Sequence, residues 1–459
     1  MKKIFIIAIL GSLVFLLSRC HKAELAPETA YDDRLSGGKA TVFDETSHAL
    51  THSIDGMEAR DLRVHELGDQ AFEAKFVAPP APVFSGLGSI FNNVSCINCH
   101  RNDGGGFPST GSATSGLLMR ISQAGMDPHG GPMAVEGYGT QIQDLSVYGY
   151  KAEATVNISY TEIPFTYPDG SKITLRHPVY SLQNPYLPIG VSYMLSPRLA
   201  PPVIGLGLID NIPEATIKSF VDKGDKNGDC ITGKVNIVYD GFTNSYAVGR
   251  YGLKANTATL LSQVAAAYQQ DMGVTSYVNP AESSYGQGQW PSGTDDGKTE
   301  LADSILKFTT FYVRTLAVPA RRNITDPDVK AGSALFNQIN CSGCHRPTIM
   351  TGPDFNLPQL SGQRIHPYTD VLLHDLGDGL ADDRPDFLAT GREWRTQPLW
   401  GLGLLQKTTG TAFYLHDGRA RTIEEAILWH DGEAARSKQA FTNLSKAERN
   451  QLIKFLNSL

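Results

Sequence analysis

Two pentapeptides in this chain, Cys96-Ile97-Asn98-Cys99-His100 and Cys341-Ser342-Gly343-Cys344-His345, share one spacing: two cysteines three apart and a histidine directly after the second. Together they take four of the 6 cysteines. Three chemistries suit part of this pattern. Paired cysteines in an oxidising compartment form disulfides or redox pairs, and C-x-x-C is also a zinc half-site. The first reading leaves both histidines unexplained, and a single zinc site drawn from both copies ignores them. The third, C-x-x-C-H as a haem attachment signature, accounts for all five positions: both thiols add to the vinyl groups and the adjacent imidazole ligates iron. Two copies therefore predict two covalently bound haem c groups, held through Cys96, Cys99, Cys341 and Cys344, with His100 and His345 as iron ligands.

Such motifs need elements to present them. Before the second, TDPDVKAGSALFNQIN offers Asp326 as a helix N-cap and Pro327 at the first helical position, then Val329, Leu335, Phe336 and Ile339. At the chain's end, LSKAERNQLIKFLNSL carries a capping box, Ser445 with Glu448, and a stripe of Leu452, Phe455, Leu456 and Leu459. These resemble the first and last helices of a class I cytochrome c. GLGSIFNNVSC, with Ile90 and Phe91, is similar in its approach to the first motif. Between the motifs, TVNISYTEI and SKITLRHPVY flank a turn at Pro168–Gly170 and read as a β-hairpin. IPEATIKSFVDK, ATLLSQVAAAYQQDMG and ELADSILKFTTFYVRTL read as helices, the last with Leu301, Ile305, Phe308, Tyr312 and Leu316 on one face. The expected fold is mainly α, with two class I cytochrome c-like domains in tandem: 76–324, with a large insertion including the hairpin, and 325–459. Residues 20–75 read as an N-terminal extension.

The first residues read as an address. MKK precedes an apolar run, IFIIAILGSLVFLLS, and the junction Leu17-Ser18-Arg19-Cys20 resembles a lipoprotein cleavage site with arginine where a small residue is usual. The expectation is a signal peptide over 1–19, lipidation of Cys20, and a protein tethered by lipid in the cell envelope, periplasmic or outer-membrane. A retained membrane anchor is the alternative. Removing 1–19 deletes Lys2, Lys3 and Arg19 but no acid, deepening the net charge of −7. With no run of basic residues, a nucleic-acid partner is not expected. Hydrophobic content of 41% and charged content of 19% fit a globular chain with sizeable cores.

Longer phrases sharpen the reading. GLGSIFNNVSCINCH, MLSPRLAPPVIGLGLID, HPYTDVLLHDLGDGLADDRPDF, GREWRTQPLWGLG and YLHDGRARTIEEAILWHDGEA resemble the di-haem oxidoreductase branch of the bacterial dihaem cytochrome c peroxidase and MauG superfamily. The resemblance implies haem redox chemistry in an exported protein. It also implies a ligand for the second iron on the segment after His416-Asp417-Gly418, where relatives carry methionine or tyrosine 14 residues on; here that residue is His430. Thr422 and Glu425 read as the capping box of the intervening helix. A surface histidine at a helix end is the plain alternative. His374, His416 and Arg395 match family positions near haem, the arginine as partner of a buried propionate, with loop-stabilising hydrogen bonds as the alternative for the two histidines.

The first iron has no evident partner. His129, His177, Met119, Met126, Met133 and Met194 are available, though such residues are more often structural. In the relatives this haem is the reactive one, with an open side lined by Glu and Gln. Glu136, Gln141 and Gln143 are the corresponding catalytic candidates, placed to move a proton between peroxide oxygens. The relatives' tryptophan between the haems comes from the first domain; here Trp290, Trp394, Trp400 and Trp429 all lie later. DKNGDCITGKVN starts like a calcium loop with Asp225, Asn227 and Asp229, but Cys230 replaces the glycine and Asn236 the bidentate glutamate. A polar turn and a calcium site are both open readings. Two functions follow: a peroxidase-like enzyme, drawing electrons from a small redox donor protein or quinol-linked cytochrome through haem two to haem one and on to a small oxidant such as peroxide, or a non-catalytic dihaem electron-transfer cytochrome.

Overall fold

The computed structural model describes residues 32–283 and 298–459. The signal segment 1–19, Cys20 and Trp290 lie outside those residues. The longer helices are α1 (Ala59–Glu73), α2 (Leu260–Met272), α3 (Asp303–Arg314), α4 (Pro327–Gln338), α5 (Ile423–Trp429), α6 (Ala435–Asn443) and α7 (Lys446–Leu456). Their ends follow local chemistry. The Thr259 side chain accepts from Ser262 N to start α2, and Gly273, at φ 68, ends it. Asp326 caps α4 with Pro327 behind it, and the Ser445–Glu448 capping box opens α7 in full.

Helices α4 and α7 cross at Gly332, where a Cβ would stand 2.0 Å from the Gln451 carbonyl oxygen. Only glycine lets the backbones approach so closely, and Val329, Phe336, Leu452 and Phe455 fill the core around the crossing. Gly68 does the same for α1 and α3, 2.1 Å from Phe308 O. That approach sets which face of α3 is covered: Leu306, Thr309, Tyr312 and Val313 are buried. Ile305 and Phe308, expected on the core face, are only half-buried because the stripe runs one residue further on.

The strands include β1 (Leu117–Gln123), β2 (Gln141–Ile142), β3 (Thr155–Thr166), β4 (Lys172–Gln183), β5 (Tyr193–Leu199), β6 (Leu373–Asp375) and β7 (Glu393–Arg395). Strand β1 alternates, burying Leu117, Met119 and Ile121, and pairs antiparallel with β2 and β5 in the order β2-β1-β5. The expected hairpin is β3–β4, paired from Thr155↔Gln183 to Thr166↔Lys172. Asp169 Oδ1 accepts from Ser171 N in its turn, and Gly170 sits at φ +83. The short pair β6–β7 sets His374 opposite Trp394.

Helix makes up only 28% of the structure and strand 20%, in many small sheets. This overturns the expected mainly α fold with class I cytochrome c-like domains in tandem. The sequence around the first motif is the plainest case. Ile90–Phe91 is a short strand paired with Leu145–Ser146, because glycines at 86 and 88 precede it and Gly86 lies at φ +108, where a helix cannot continue. The cores also mix: Phe72, Leu260 and Tyr312 share one cluster with Ile349, Leu360, Val371 and Leu405, and residues 34–459 form one compact unit. Among the described residues no helix is long and apolar enough to cross a membrane.

Candidate cofactor-binding site

A cavity of about 710 Å³ is lined by Cys96, Cys99 and His100 and also by Cys341, Cys344 and His345. His430, His374, His416 and Arg395 reach the same cavity. Each arrives on a defined element. Ser95 Oγ donates to Glu73 O (3.1 Å) at the end of α1, fixing the turn that starts at Cys96, and His100 N donates to Cys96 O (2.9 Å). Asn340, at φ +61, reverses the chain after α4, and His345 N donates to Cys341 O (3.0 Å). Helix α5 opens at Thr422, whose side chain accepts from Glu425 N (3.1 Å), and stops at His430. Its expected capping box is only half formed, since the Glu425 carboxylate turns to Arg421 N (2.8 Å) and the Arg421 guanidinium.

The three candidate ligands share one arrangement. Nδ1 of His100 faces Pro201 O at 2.7 Å, that of His345 faces Tyr368 O at 2.9 Å, and that of His430 faces Ala426 O at 2.7 Å. A carbonyl only accepts, so Nδ1 carries the hydrogen and Nε2 keeps its lone pair for a metal. Burial favours the neutral rings: it holds His345 down at about 4 against the opposing carbonyl bond, and lowers His100 and His430 likewise. The rings of His345 and His430 lie 6.4 Å apart, centroid to centroid. Two imidazoles on opposite sides of one metal, with bonds of about 2 Å, require roughly that gap. His100 has Phe72 as ring neighbour at 6.1 Å, and no described histidine stands from it at the spacing of the His345–His430 pair.

The thiols are free, not disulfide-bonded. Burial, aided by the charge of Asp271, pushes Cys96 up to about 12, and burial raises Cys99, Cys341 and Cys344 as well. A redox-active pair needs the opposite shift. Zinc fares no better: among the described residues no three metal-binding side chains gather. A porphyrin with carboxylate arms does fit. Buried Arg384 Nε has no hydrogen-bond partner, and buried Arg198 Nη2 has only ion-pair contacts with Asp382 (3.5 Å) and Asp386 (3.8 Å); both residues line the cavity. Arg395, expected in that role, spends Nε on Gly252 O (2.9 Å) and Nη2 on Gln397 Oε1 (2.6 Å). His374 is held between Asp370 (2.8 Å) and Glu433 (2.7 Å), so neither ring nitrogen is open to a metal. His416 stacks on Trp394, and its Nε2 has no hydrogen-bond partner.

The catalytic candidates lie elsewhere than expected. Glu136 is exposed on a turn, away from the cavity lining. Gln141 stands behind the lining: its Nε2 donates to Asn92 Oδ1 (2.7 Å), Asp271 Oδ1 (2.8 Å) and Gln270 O (3.0 Å). Gln143 Nε2 also donates to Gln270 O, at 3.2 Å. Gln270, Asp271 and Arg120 are among the polar groups of the lining, Asp271 close enough for its charge to act on Cys96, and Arg120 Nη1 bonds Gln270 Oε1. For Gln270 and Asp271 the sequence signal is the polar Gln-Gln-Asp run near the end of α2. Met272 lines the cavity, whereas Met119, Met126, Met133, Met194, His129 and His177 do not.

The calcium-like loop closes on itself. Asp225 Oδ1 accepts from Cys230 N (3.0 Å), Asp229 Oδ1 from Ile231 N (2.9 Å) and Asn227 Oδ1 from Asp229 N (3.0 Å). Asp229 Oδ2 also accepts from Asn340 Nδ2 (3.1 Å), steadying the residue before Cys341.

A family model described as "Di-haem oxidoreductase, putative peroxidase" matches residues 31–459. The chain belongs to this di-haem oxidoreductase family. Haem is thus the cofactor that its cavity has to serve. No curated protein matches. A solved structure of hydrazine synthase from Kuenenia stuttgartiensis, under xenon pressure, is 18% identical over 35% of this di-haem oxidoreductase and 57% of its own chain. With a TM-score of 0.25, that likeness carries no argument.

Proposed function

We propose that this di-haem oxidoreductase is an exported, peroxidase-like c-type enzyme, with haem one attached at Cys96 and Cys99 and haem two at Cys341 and Cys344. One observation carries the reading: His345 has a second imidazole 6.4 Å away, and His100 has none at that spacing. A site closed by two imidazoles suits electron relay, and a site with one suits a small oxidant such as peroxide. Bound haem supplies the one-electron redox chemistry. The chain's residues do the rest. His345 and His430 would together hold one haem iron, and His100 would hold the other. Asp271 is raised by burial despite Arg120 and the Gln141 bond, and it offers a carboxyl that holds or releases a proton at an oxidant's oxygen, with the Arg120 charge beside it. A small redox donor protein or quinol-linked cytochrome would supply the electrons. Lipid on Cys20 tethers the enzyme in the cell envelope; a Cys20→Ser chain that fractionates like wild type would remove that part of the reading.

A second reading, a non-catalytic electron carrier, has Met272 in its favour, a thioether at the cavity wall. Absorption and EPR spectra of the ferric and half-reduced protein decide between them. The enzyme reading expects an added mass of two haems, one iron that binds cyanide, and rapid oxidation of the half-reduced form by peroxide. Two irons inert to cyanide and peroxide in every redox state make the protein an electron carrier.

A further inference from the structure

The ribbon β3–β4 is two-stranded, with twelve residues in each strand and no lateral neighbour among the described residues. A hairpin of this kind is marginal in water by itself, so its conformation depends on what it touches. At its base, Thr110 Oγ1, in the loop after the first motif, donates to Val156 O (3.2 Å). Val156 is buried in a small core with Met119 and Ile121 of β1.

The other end lies on the segment that leads to His430, where Tyr167 and Leu175 share a core with Ile423, Leu428 and Trp429 and a set of hydrogen bonds fixes the register. Arg176 donates from Nε to Arg419 O (2.8 Å) and from Nη2 to Gly418 O (2.9 Å). Tyr180 OH donates to Asp417 Oδ2 (3.3 Å), Arg421 Nη2 to Thr174 O (2.7 Å), and Tyr167 OH to Glu424 Oε1 (2.7 Å). Beyond the turn, Arg449 of α7 donates to Asp169 Oδ2 (2.7 Å), its guanidinium carbon 3.8 Å from the Tyr167 ring centre. By contrast, His430 is held on its own segment by one ring bond to Ala426 O, at the end of a helix of seven residues. A helix that short does not hold its own position.

We propose that the β3–β4 ribbon is a strap that positions His430 against His345 and ties that ligand to the loop following the first motif, with Arg176 as the main positioning residue. The proposal rests on the reading of His430 as an iron ligand. A firm strap keeps the His345–His430 gap at the width one iron fills. A loosened strap lets His430 move off, opening the second iron to outside ligands while leaving the His100 site as it was. A strap that serves stability alone lowers the unfolding temperature and leaves the spectrum of the folded protein untouched.

The test uses the full-length two-haem protein and four variants: Arg176→Ala, Arg176→Lys, Tyr167→Phe and His430→Ala. His430→Ala defines the spectrum of an opened second site. Arg176→Ala is expected to gain part of that high-spin signal and to bind cyanide at haem two about ten-fold more tightly than wild type. Arg176→Lys, which keeps a donor, restores most of the wild-type spectrum, and Tyr167→Phe gives a smaller shift in the same direction. Should Arg176→Ala fail to fold, Tyr167→Phe carries the test. An unchanged His430→Ala spectrum overturns the ligand assignment and the strap with it. An opened site in His430→Ala, alongside wild-type spectra and cyanide binding in the folded Arg176 and Tyr167 variants, overturns the strap alone.

Discussion

Trp394 and His416 stack with ring centroids 3.7 Å apart and planes 13° from parallel. The stack stands where the two halves of the site meet. His416 O accepts from Leu199 N in β5, while Trp394 pairs across β6–β7 with His374. Two buried cations lie against the indole, the Arg198 guanidinium 4.8 Å and the Lys254 ammonium 4.6 Å from its centre. Lys254 is fully buried and donates to Asp382 Oδ1 (2.7 Å), Arg384 O (2.8 Å) and Thr390 O (2.8 Å). Burial pulls its ammonium down to about 8 in spite of Asp382.

Lys254→Met is therefore expected to destabilise the protein by about 3 kcal/mol, because it leaves two carbonyls unpaired and Asp382 short of its closest cation. Urea titration of the holoprotein measures it. A midpoint within error of wild type would mean that Arg198 alone suffices for Asp382.

Part of this was legible in the sequence. The two C-x-x-C-H copies need only their spacing and the helices begun by Asp326 and Ser445 only their caps, whereas His430 comes from the family resemblance and not from any local pattern. The hairpin announced itself through Pro168-Asp169-Gly170. Other features are not written locally. Period-two burial in β1 is visible in Leu117, Met119 and Ile121, but helical framing of the whole chain concealed it. Asp271 and Arg120 stand 151 positions apart in the sequence yet both line the cavity. Gln141 stands behind Asp271, bonded to it at 2.8 Å, a placement that no local pattern shows. The buried cluster of Arg198, Arg384, Asp382 and Asp386 appears only once β5 and the 382–386 loop come together.

Glu433 gives a prediction in pH. Burial raises its carboxyl, but the hydrogen bond and charge of His374, with Thr232 N and Gly233 N, outweigh that and hold it near 2. A depressed carboxyl stabilises the fold above its ordinary value of 4.5, and that stability is lost as pH falls toward 2. His374 is raised well above 6.5, against burial, by the Cys344 sulfur and by Asp370; a thioether sulfur carries no charge, so the share left to Asp370 is complete below 6.5 and fades as pH rises. Glu433→Gln should be less stable than wild type at neutral pH and should show a flatter acid limb in urea midpoints taken between pH 5 and pH 2 (roughly the span of such a shift). Parallel acid limbs would assign the acid sensitivity elsewhere.

His430→Met tests the second iron's ligands by potential. Thioether favours reduced iron more than imidazole does, so the midpoint of haem two should rise by on the order of 100 mV, a fraction of the roughly 0.8 V that axial ligands span. Spectroelectrochemistry of both haems reads it, with haem one as internal reference. If the haem-two potential and spectrum stay put, His430 does not touch iron.

The reactive site makes the last demand. Asp271 lies in the cavity lining, close enough for its charge to act on Cys96, and Gln141 holds it from behind at 2.8 Å. If the carboxyl moves a proton at the oxidant, Asp271→Asn keeps the shape and the Arg120 neighbour but loses the proton. The rate of peroxide oxidation of the half-reduced protein should then fall by about 100-fold, within the roughly 10²–10⁴ range of a positioned acid or base. Gln141→Leu, which only frees the carboxylate to turn, should cost less, and Glu136→Gln, out on its turn, should cost nothing. All three should keep both haems and the His345–His430 spectrum. Stopped-flow traces at matched protein concentration separate the cases. A Glu136 variant slower than the Asp271 variant would return the chemistry to the turn at 136 and remove it from the end of α2.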